Sequence, residues 1–363
     1  MNSYLWKYLV CPQCKKKLTF LDWKDDVLNG FLFCKEKHYY PIFHQVPVLL
    51  DENLLFRLMN TDEIRRIRQA WEILKNNFSK ANFLVDDECV LSDISDNWSF
   101  QWQNFKTENT VFEDEETFRE HIPYDKSDLD SEENRILEIG CGNGRDIKHI
   151  IGDRNIIFGI DISESAYYAQ RRYEQAGNVC IIRCDVNNLP FASDTFDLIY
   201  SDHVLQHIDN LENCFNEVKR VIRKSGKFIF NLYSRENNFV MTKIIEPLKK
   251  SILSKLPFKA VFYISNAPAV LLYISIKAIY MPLNKYFSFI YRKLPLSSHM
   301  TFWLPMSYNT LKMNCFDLLH APIANYFSGQ AIDQLCLKTN LHLGKKFILR
   351  QTLWVCKGNF EKL

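Results

Sequence analysis

Three groups of residues in this 363-residue chain have the types and spacing to do chemistry. The first runs from Glu138 to Asp161. Glu138 is followed by three glycines at alternate positions, Gly140, Gly142 and Gly144, with Cys141 between the first two. Glycines so placed allow a tight turn and let backbone N–H groups approach a ligand with no Cβ in the way. Asp161 stands 21 residues beyond Gly140, the interval at which a doubly wound fold offers a carboxylate to ribose hydroxyls. The acid ahead of the glycines would repel a pyrophosphate and suits a nucleoside bearing an ammonium group. The second group is Cys11-Pro12-Gln13-Cys14 with Cys34 and His38. Two thiolates on a tight turn, a third thiolate and an imidazole satisfy tetrahedral zinc, with His44 as a competing fourth ligand. The third is His203 and His207, four apart after an apolar run. Either could act as general base or position a substrate.

These groups need elements to hold them. Arg135 to Ile139 reads as a strand buried on both faces, and Ile147, Ile150 and Ile151 as one face of a following helix. Ile156 to Ile160 is a second strand, running into Asp161 and Ile162. Ser163 to Ala176 is a helix with a serine N-cap. Val179 to Cys184 is a third strand, ending at Asp185 and Val186. Phe196 to Tyr200 is a fourth, running into Ser201, Asp202 and His203. Leu211 to Val221 is an amphipathic helix, Arg223 to Lys227 a turn, and Phe228 to Tyr233 a fifth strand. Near the C-terminus a helix from Ser328 to Leu335 precedes two strand-like runs, Phe347 to Arg350 and Thr352 to Val355. Strands alternating with helices predict an α/β, doubly wound architecture.

Residues 134–235 resemble the class I S-adenosylmethionine-dependent methyltransferases of the type 11-like group. The resemblance implies a Rossmann-like, seven-stranded methyltransferase sheet and S-adenosyl-L-methionine as cofactor. It carries Glu138, Gly140, Cys141, Gly142, Gly144, Asp161, Ile162, Asp185, Val186 and Ser201 as the cofactor set, with Asp185 on the adenine amino group. His207 takes a position that is usually histidine in relatives, so His207 and His203 are the catalytic candidates. The first 50 residues resemble Trm112-like zinc-ribbon modules through Cys11-Pro12-Gln13-Cys14, Tyr40-Pro41-Ile42 and Val46 to Leu50. Lys37 stands where the last cysteine of that pattern would be, and His38 replaces it as in the zinc finger of bacterial ribosomal-RNA guanine methyltransferases. Cys11, Cys14, Cys34 and His38 are then the ligands of a structural Zn2+. Trp98 and Trp102 share a helical face. They read as a core stripe, or as the cleft-covering segment that precedes the glycine motif in related fusions.

The expected organisation is a zinc-ribbon module at 1–50, a helical connector and cleft-covering segment at 51–132, and the cofactor-binding core at 133–239. A basic, apolar helical insertion follows at 240–300, and 301–363 completes the sheet. Formal net charge is +2, which argues neither for nor against nucleic acid. Eleven scattered cysteines and an N-terminus without a basic region and long apolar run predict reduced thiols, no signal peptide and a cytoplasmic setting. Between Val240 and Leu296 there are nine Lys and Arg residues and one acid, Glu246. Asn266, Pro268 and Lys277 interrupt its apolar runs, so no membrane span is expected. The insertion reads as a lid over the substrate, as a hairpin in a membrane interface, or as an RNA-binding face. The expected function is methyl transfer to a small-molecule, glycan or lipid-linked acceptor, with peripheral contact to the inner face of the membrane through 240–296. An RNA base methyltransferase is the alternative, with nucleic acid the less favoured partner; a catalytically idle S-adenosylmethionine-binding scaffold is the third reading.

Overall fold

The computed structural model describes residues 3–23, 25, 27–51, 54–55, 58–74, 114–129, 131–321 and 323–361. The Trp98 and Trp102 segment lies outside them. At the centre are β5 (Asn134–Ile139), β6 (Asn155–Asp161), β7 (Val179–Cys184), β8 (Phe196–Ser201) and β9 (Ile222–Tyr233). They lie parallel in the order β7-β6-β5-β8-β9. Every residue of β7 and β8 is buried, which is why these stretches read as mostly apolar runs. β10 (Leu341–Leu349) and β11 (Leu353–Phe360) close the far side, with β11 antiparallel to both β9 and β10. The order reverses between β5 and β8, so a crevice opens at their C-terminal ends.

The N-terminal ribbon does not stand apart. Its strands β1 (Thr19–Asp22), β2 (Leu28–Phe33), β3 (Tyr39–Phe43) and β4 (Val46–Leu49) form an antiparallel run, and β4 then pairs in parallel with β7. One 11-stranded sheet results. Leu5, Leu9 and Cys34 of the ribbon share a hydrophobic cluster with Phe158, Phe191 and Phe228 of the core. The connector helix α1 (Thr61–Leu74) is anchored through Arg183 of β7. That fully buried guanidinium donates to the carbonyls of Ile162 and Leu58 and faces Glu63 at 3.8 Å.

Flanking helices follow their apolar spacing. In α3 (Ser165–Arg172), Ala166 and Ala169 are fully buried. In α4 (Leu211–Val221) the Asn210 side chain caps the first turn by accepting from the Asn213 N–H, a contact that typically stabilises by about 1 kcal/mol. Phe215, Val218 and Val221 of α4 are fully buried. Two expected elements differ. The helix after the glycines is one 3-10 turn, Ile147–His149. Only ten residues separate Gly144 from β6, and the Asn155 side chain ties off the Ile150 carbonyl at 2.7 Å. The expected turn at Arg223 to Lys227 is part of an unbroken β9, whose register against β8 shifts near Leu198.

The insertion is helical throughout: α5 (Glu246–Ser251), α6 (Phe258–Ile264), α7 (Asn266–Ser275), α8 (Met281–Tyr286) and α9 (Ser288–Tyr291). Helical backbone runs on from Lys259 to Tyr286, 28 residues, long and apolar enough by length and composition to cross a membrane. The three expected interruptions do not break it. Pro268 falls in the first turn of α7, where a missing N–H costs little, and Lys277 carries its charge to the Leu304 carbonyl at 3.3 Å. The cap continues past residue 300. α10 (Ser297–Trp303) and α11 (Tyr308–His320) pack beneath the long helix, with Phe316 of α11 against Val261 and Leu311 against Ile276. α12 (Gly329–Thr339) then returns the chain to the sheet.

Candidate active site

The strand ends, the glycine turn and the cap enclose one cavity of about 1010 Å³, room for a nucleoside cofactor and a second ligand together. Its inner end is the glycine turn. Gly140 has φ +76°, and a Cβ there would lie 2.2 Å from a Val204 methyl. The N–H groups of Gly140 and Cys141 both donate to the Ile160 carbonyl. Asp161 then braces the turn from β6. Its Oδ2 accepts from the Gly142 N–H at 2.8 Å, and Oδ1 accepts from Ser163 N–H and Oγ–H at 2.8 and 2.6 Å. One carboxylate therefore shapes the loop and borders the cavity.

Gly140, Cys141, Gly142, Asp161, Ile162, Asp185 and Val186 all line this space. Asp185, past the tip of β7, accepts from Asn187 through Oδ1 alone, which leaves Oδ2 for a ligand. Two carboxylates, at the ends of β6 and β7, and a turn with glycine on either side of Cys141 fit the ribose, adenine and chain of a sulfonium nucleoside. Three residues expected in the cofactor set do not line the cavity. Glu138 is 2% exposed beneath the turn, and burial holds its carboxyl well above the ordinary range. Gly144 packs against Tyr173. Ser201 spends its hydroxyl on the Ile139 carbonyl at 3.1 Å. Arg145, Asp146 and Asp202 also line the cavity, with Arg145 3.3 Å from Asp146 and 3.5 Å from Asp202.

The two histidines do not share a helical face. His203 sits in left-handed backbone, φ +56°, held there by its N–H donating to the Asn231 side chain at 2.7 Å. Asp202 Oδ1 accepts from His203 Nδ1 at 2.8 Å, so Nε2 is the atom left with a lone pair. Burial alone would raise the Asp202 carboxyl, but the imidazoles of His203 and His121 hold it well below the usual range. His121, from α2 (Glu115–His121), donates Nδ1–H to Asp202 Oδ2 at 3.3 Å and accepts at Nε2 from Arg350 at 3.1 Å. The ligand atoms of His121, Asp202 and His203 lie within 4.8 Å of one another. With both Nδ1 atoms spent on the carboxylate and two guanidinium groups alongside, the cluster is better suited to proton handling than to a cation. His207 closes the Leu205–His207 turn and donates Nδ1–H to the Ile323 carbonyl; burial lowers it to about 4, so it is neutral. Asp202 directly precedes a histidine that the sequence singles out. Nothing in the sequence marks His121, Asn231 or Arg350.

The outer end of the cavity is built by the cap. Leu296, Met300, Trp303 and Met313 give it an apolar wall. Asp317 also faces it, with Oδ1 buried and lacking a hydrogen-bond partner among the described residues. Burial pushes this carboxyl up to about 7, against the pull of Lys249 and His203.

At the far edge of the sheet, Cys11, Cys14, Cys34 and His38 converge, their ligand atoms within 4.8 Å of one another. Cys14 and Cys34 sulfurs are 3.6 Å apart, and His38 Nδ1 lies 3.3 and 3.4 Å from the sulfurs of Cys11 and Cys34. Bonds of about 2.0–2.3 Å to a tetrahedral zinc would set such separations at roughly 3.5–3.8 Å. The Tyr40 hydroxyl, 3.1 Å from Cys11 Sγ, adds an outer contact. His44, the competing ligand, packs edge-on against Tyr167 instead.

Residues 137–230 match the family described as "Methyltransferase domain". An uncharacterized protein of Methanocaldococcus jannaschii is 29% identical over 147 residues, 40% of this chain and 63% of that protein. The sterol 4-C-methyltransferase strm-1 of Caenorhabditis elegans is 30% identical over 113 residues, 30% of this chain and 34% of that protein. A ubiquinone/menaquinone biosynthesis C-methyltransferase of Shewanella sediminis is 25% identical over 129 residues, 34% and 51% of the respective lengths. The chain thus spans less than two thirds of each relative. The shared part is the cofactor domain, and this chain carries an S-adenosylmethionine-dependent methyltransferase domain.

Proposed function

We propose that the protein methylates an apolar small-molecule or lipid-linked acceptor held beneath the helical cap. The observation that carries this reading is the continuity of one cavity, with paired acids at its inner end and an apolar wall at its outer end. The named methyltransferases similar to the cofactor domain include a sterol enzyme and a ubiquinone/menaquinone enzyme, which agrees with an apolar acceptor.

S-adenosylmethionine, when bound, supplies an electrophilic methyl group on a sulfonium. Asp161 and Asp185 would hold its ribose and adenine, and the Gly140–Gly142 turn its amino-acid end. Catalysis by the chain is then chiefly alignment and exclusion of water. That sulfonium would give its methyl group to the acceptor nucleophile and keep the carbon–sulfur electron pair. His203 Nε2 takes the acceptor's proton, and Asp202 holds the imidazole in the tautomer that can do so. Asp317 gives the acceptor one polar anchor in an otherwise apolar wall. The Cys11, Cys14, Cys34 and His38 site would hold a structural zinc that locks the ribbon against β7 and takes no part in transfer.

The test is transfer of labelled methyl from S-adenosylmethionine into separated fractions of a cell extract. Label in the organic-soluble fraction, lost in His203→Ala, supports the reading. Label confined to RNA, with salt-sensitive retention, would establish the nucleic-acid alternative, and cofactor binding with no label in any fraction would establish an idle scaffold.

A further inference from the structure

Sixteen of the 22 large hydrophobic side chains exposed among the described residues lie between Phe239 and Ile290. Eight of them lie on the long cap helix, Lys259 to Tyr286. Val261, Ala269 and Ile276, spaced eight and seven apart, are fully buried on its inner face. On the outer face Tyr263, Leu271 and Ile274 are 70%, 68% and 55% exposed, and Phe289 just beyond is 71% exposed. A helix apolar all round is ordinarily covered on every side, and a contiguous exposed apolar patch marks an interaction surface.

Charge selects the partner. The one acid between Val240 and Leu296, Glu246, is buried in an ion pair with buried Lys249 at 2.5 Å. Lys243, Lys255, Lys259, Lys285, Arg292 and Lys293 are all exposed, so this stretch presents cations and has no exposed acid of its own. Lys285 lies over the Tyr286 ring and Lys293 over Phe289, which interleaves cations with aromatics. A second copy presenting this face would set like charges against each other. RNA would find exposed Leu, Ile and Val side chains that cannot stack on bases. An anionic bilayer satisfies both features, with acyl chains for the apolar side chains and headgroups for the cations.

We propose that the outer face of the cap, residues 239–293, docks on an anionic lipid bilayer and lies in its interface. The helix does not cross. Its inner face packs on α11, which carries Asp317 into the cavity wall, and a span would take that carboxyl into hydrocarbon. Docking places the cap at the depth where a lipid-linked acceptor resides. It stands on the exposed face and not on the proposed reaction.

The test is co-sedimentation of the full-length protein with vesicles of phosphatidylcholine containing phosphatidylglycerol, against phosphatidylcholine alone, with no methyl-transfer readout. The wild type should sediment with the anionic vesicles and be released by raised salt. The triple variant Lys285→Glu, Arg292→Glu, Lys293→Glu should partition at least tenfold more weakly, roughly the effect of losing two or three surface cations. Leu271→Ser with Ile274→Ser should do the same through its apolar contribution, and both variants should keep wild-type heats with S-adenosylhomocysteine. No sedimentation of the wild type, or equal partitioning of all three proteins, overturns the proposal. So does resistance of the bound protein to alkaline carbonate, which would mark a crossing helix. A vesicle-blind dimer that Leu271→Ser with Ile274→Ser dissociates would assign the face to a second copy instead, and salt-sensitive RNA retention abolished by the triple variant would assign it to RNA.

Discussion

At the scale of single residues, the site turns on which side chains are already committed. His203 has its Nδ1 on Asp202 and its backbone N–H on Asn231, so it can turn neither ring nor chain. Replacing Asp202 by Asn removes the acceptor that fixes the tautomer. Turnover should fall roughly 10²-fold or more, while calorimetric affinity for S-adenosylhomocysteine stays near that of the wild type. Equal losses in both would make Asp202 merely structural. Asp317 gives a prediction in pH. Its folded carboxyl is raised from 3.8 to about 7, so its contribution to stability is whole below the unfolded value and is lost as pH rises through 7. Asp317→Asn should match the wild type in Tm below about pH 4 and exceed it progressively as pH rises to 7, by ~2–4 °C or more at pH 8. An unchanged difference across that range would mean the carboxyl is ionised throughout.

At the scale of elements, the residues flanking the cavity were legible because they end strands. Asp161 and Asp185 follow apolar runs with β periodicity, and the fold can put such positions only at the crevice. The catalytic neighbourhood was less legible because it is assembled from afar. His121 comes from α2 and Arg350 from the β10–β11 connection, and no local pattern records that they meet. The four-residue spacing of His203 and His207 gives no sign of the left-handed φ at His203. The ribbon was read as separate because a parallel pairing between β4 and β7 leaves no mark within either strand. Gly140 offers an element-level test. A Cβ would strike the Val204 side chain, and φ is +76°. Gly140→Ala should lose about 1–3 kcal/mol by chemical denaturation, with partial recovery in Gly140→Ala with Val204→Ala. Full recovery would mean only the steric clash mattered. The ribbon offers another. One zinc per chain should be found by elemental analysis, and its removal by a chelator should lower Tm and expose the β7 edge to aggregation. Metal-free protein of unchanged Tm would contradict a structural zinc.

At the scale of the whole molecule, one sheet carries three tasks in sequence across its width. The cysteine and histidine cluster lies at one edge, the ends of β6 and β7 offer Asp161 and Asp185 to the crevice, and the cap roofs the outlet. The middle task is legible in the glycines and acids. The cap admits three readings from sequence because composition alone does not tell a buried apolar side chain from an exposed one. Packing resolves that ambiguity, with Val261 inside and Leu271 outside on one helix. The proposed methyl transfer depends on a sulfonium nucleoside, which Asp161 and Asp185 are proposed to seat. Titration calorimetry with S-adenosylhomocysteine on the full-length protein tests this most directly. Saturable one-site binding, weakened roughly tenfold or more in Asp161→Asn by loss of a charge-assisted hydrogen bond, is the predicted result. No binding to the wild type, or equal affinity in a folded Asp161→Asn, would contradict the account.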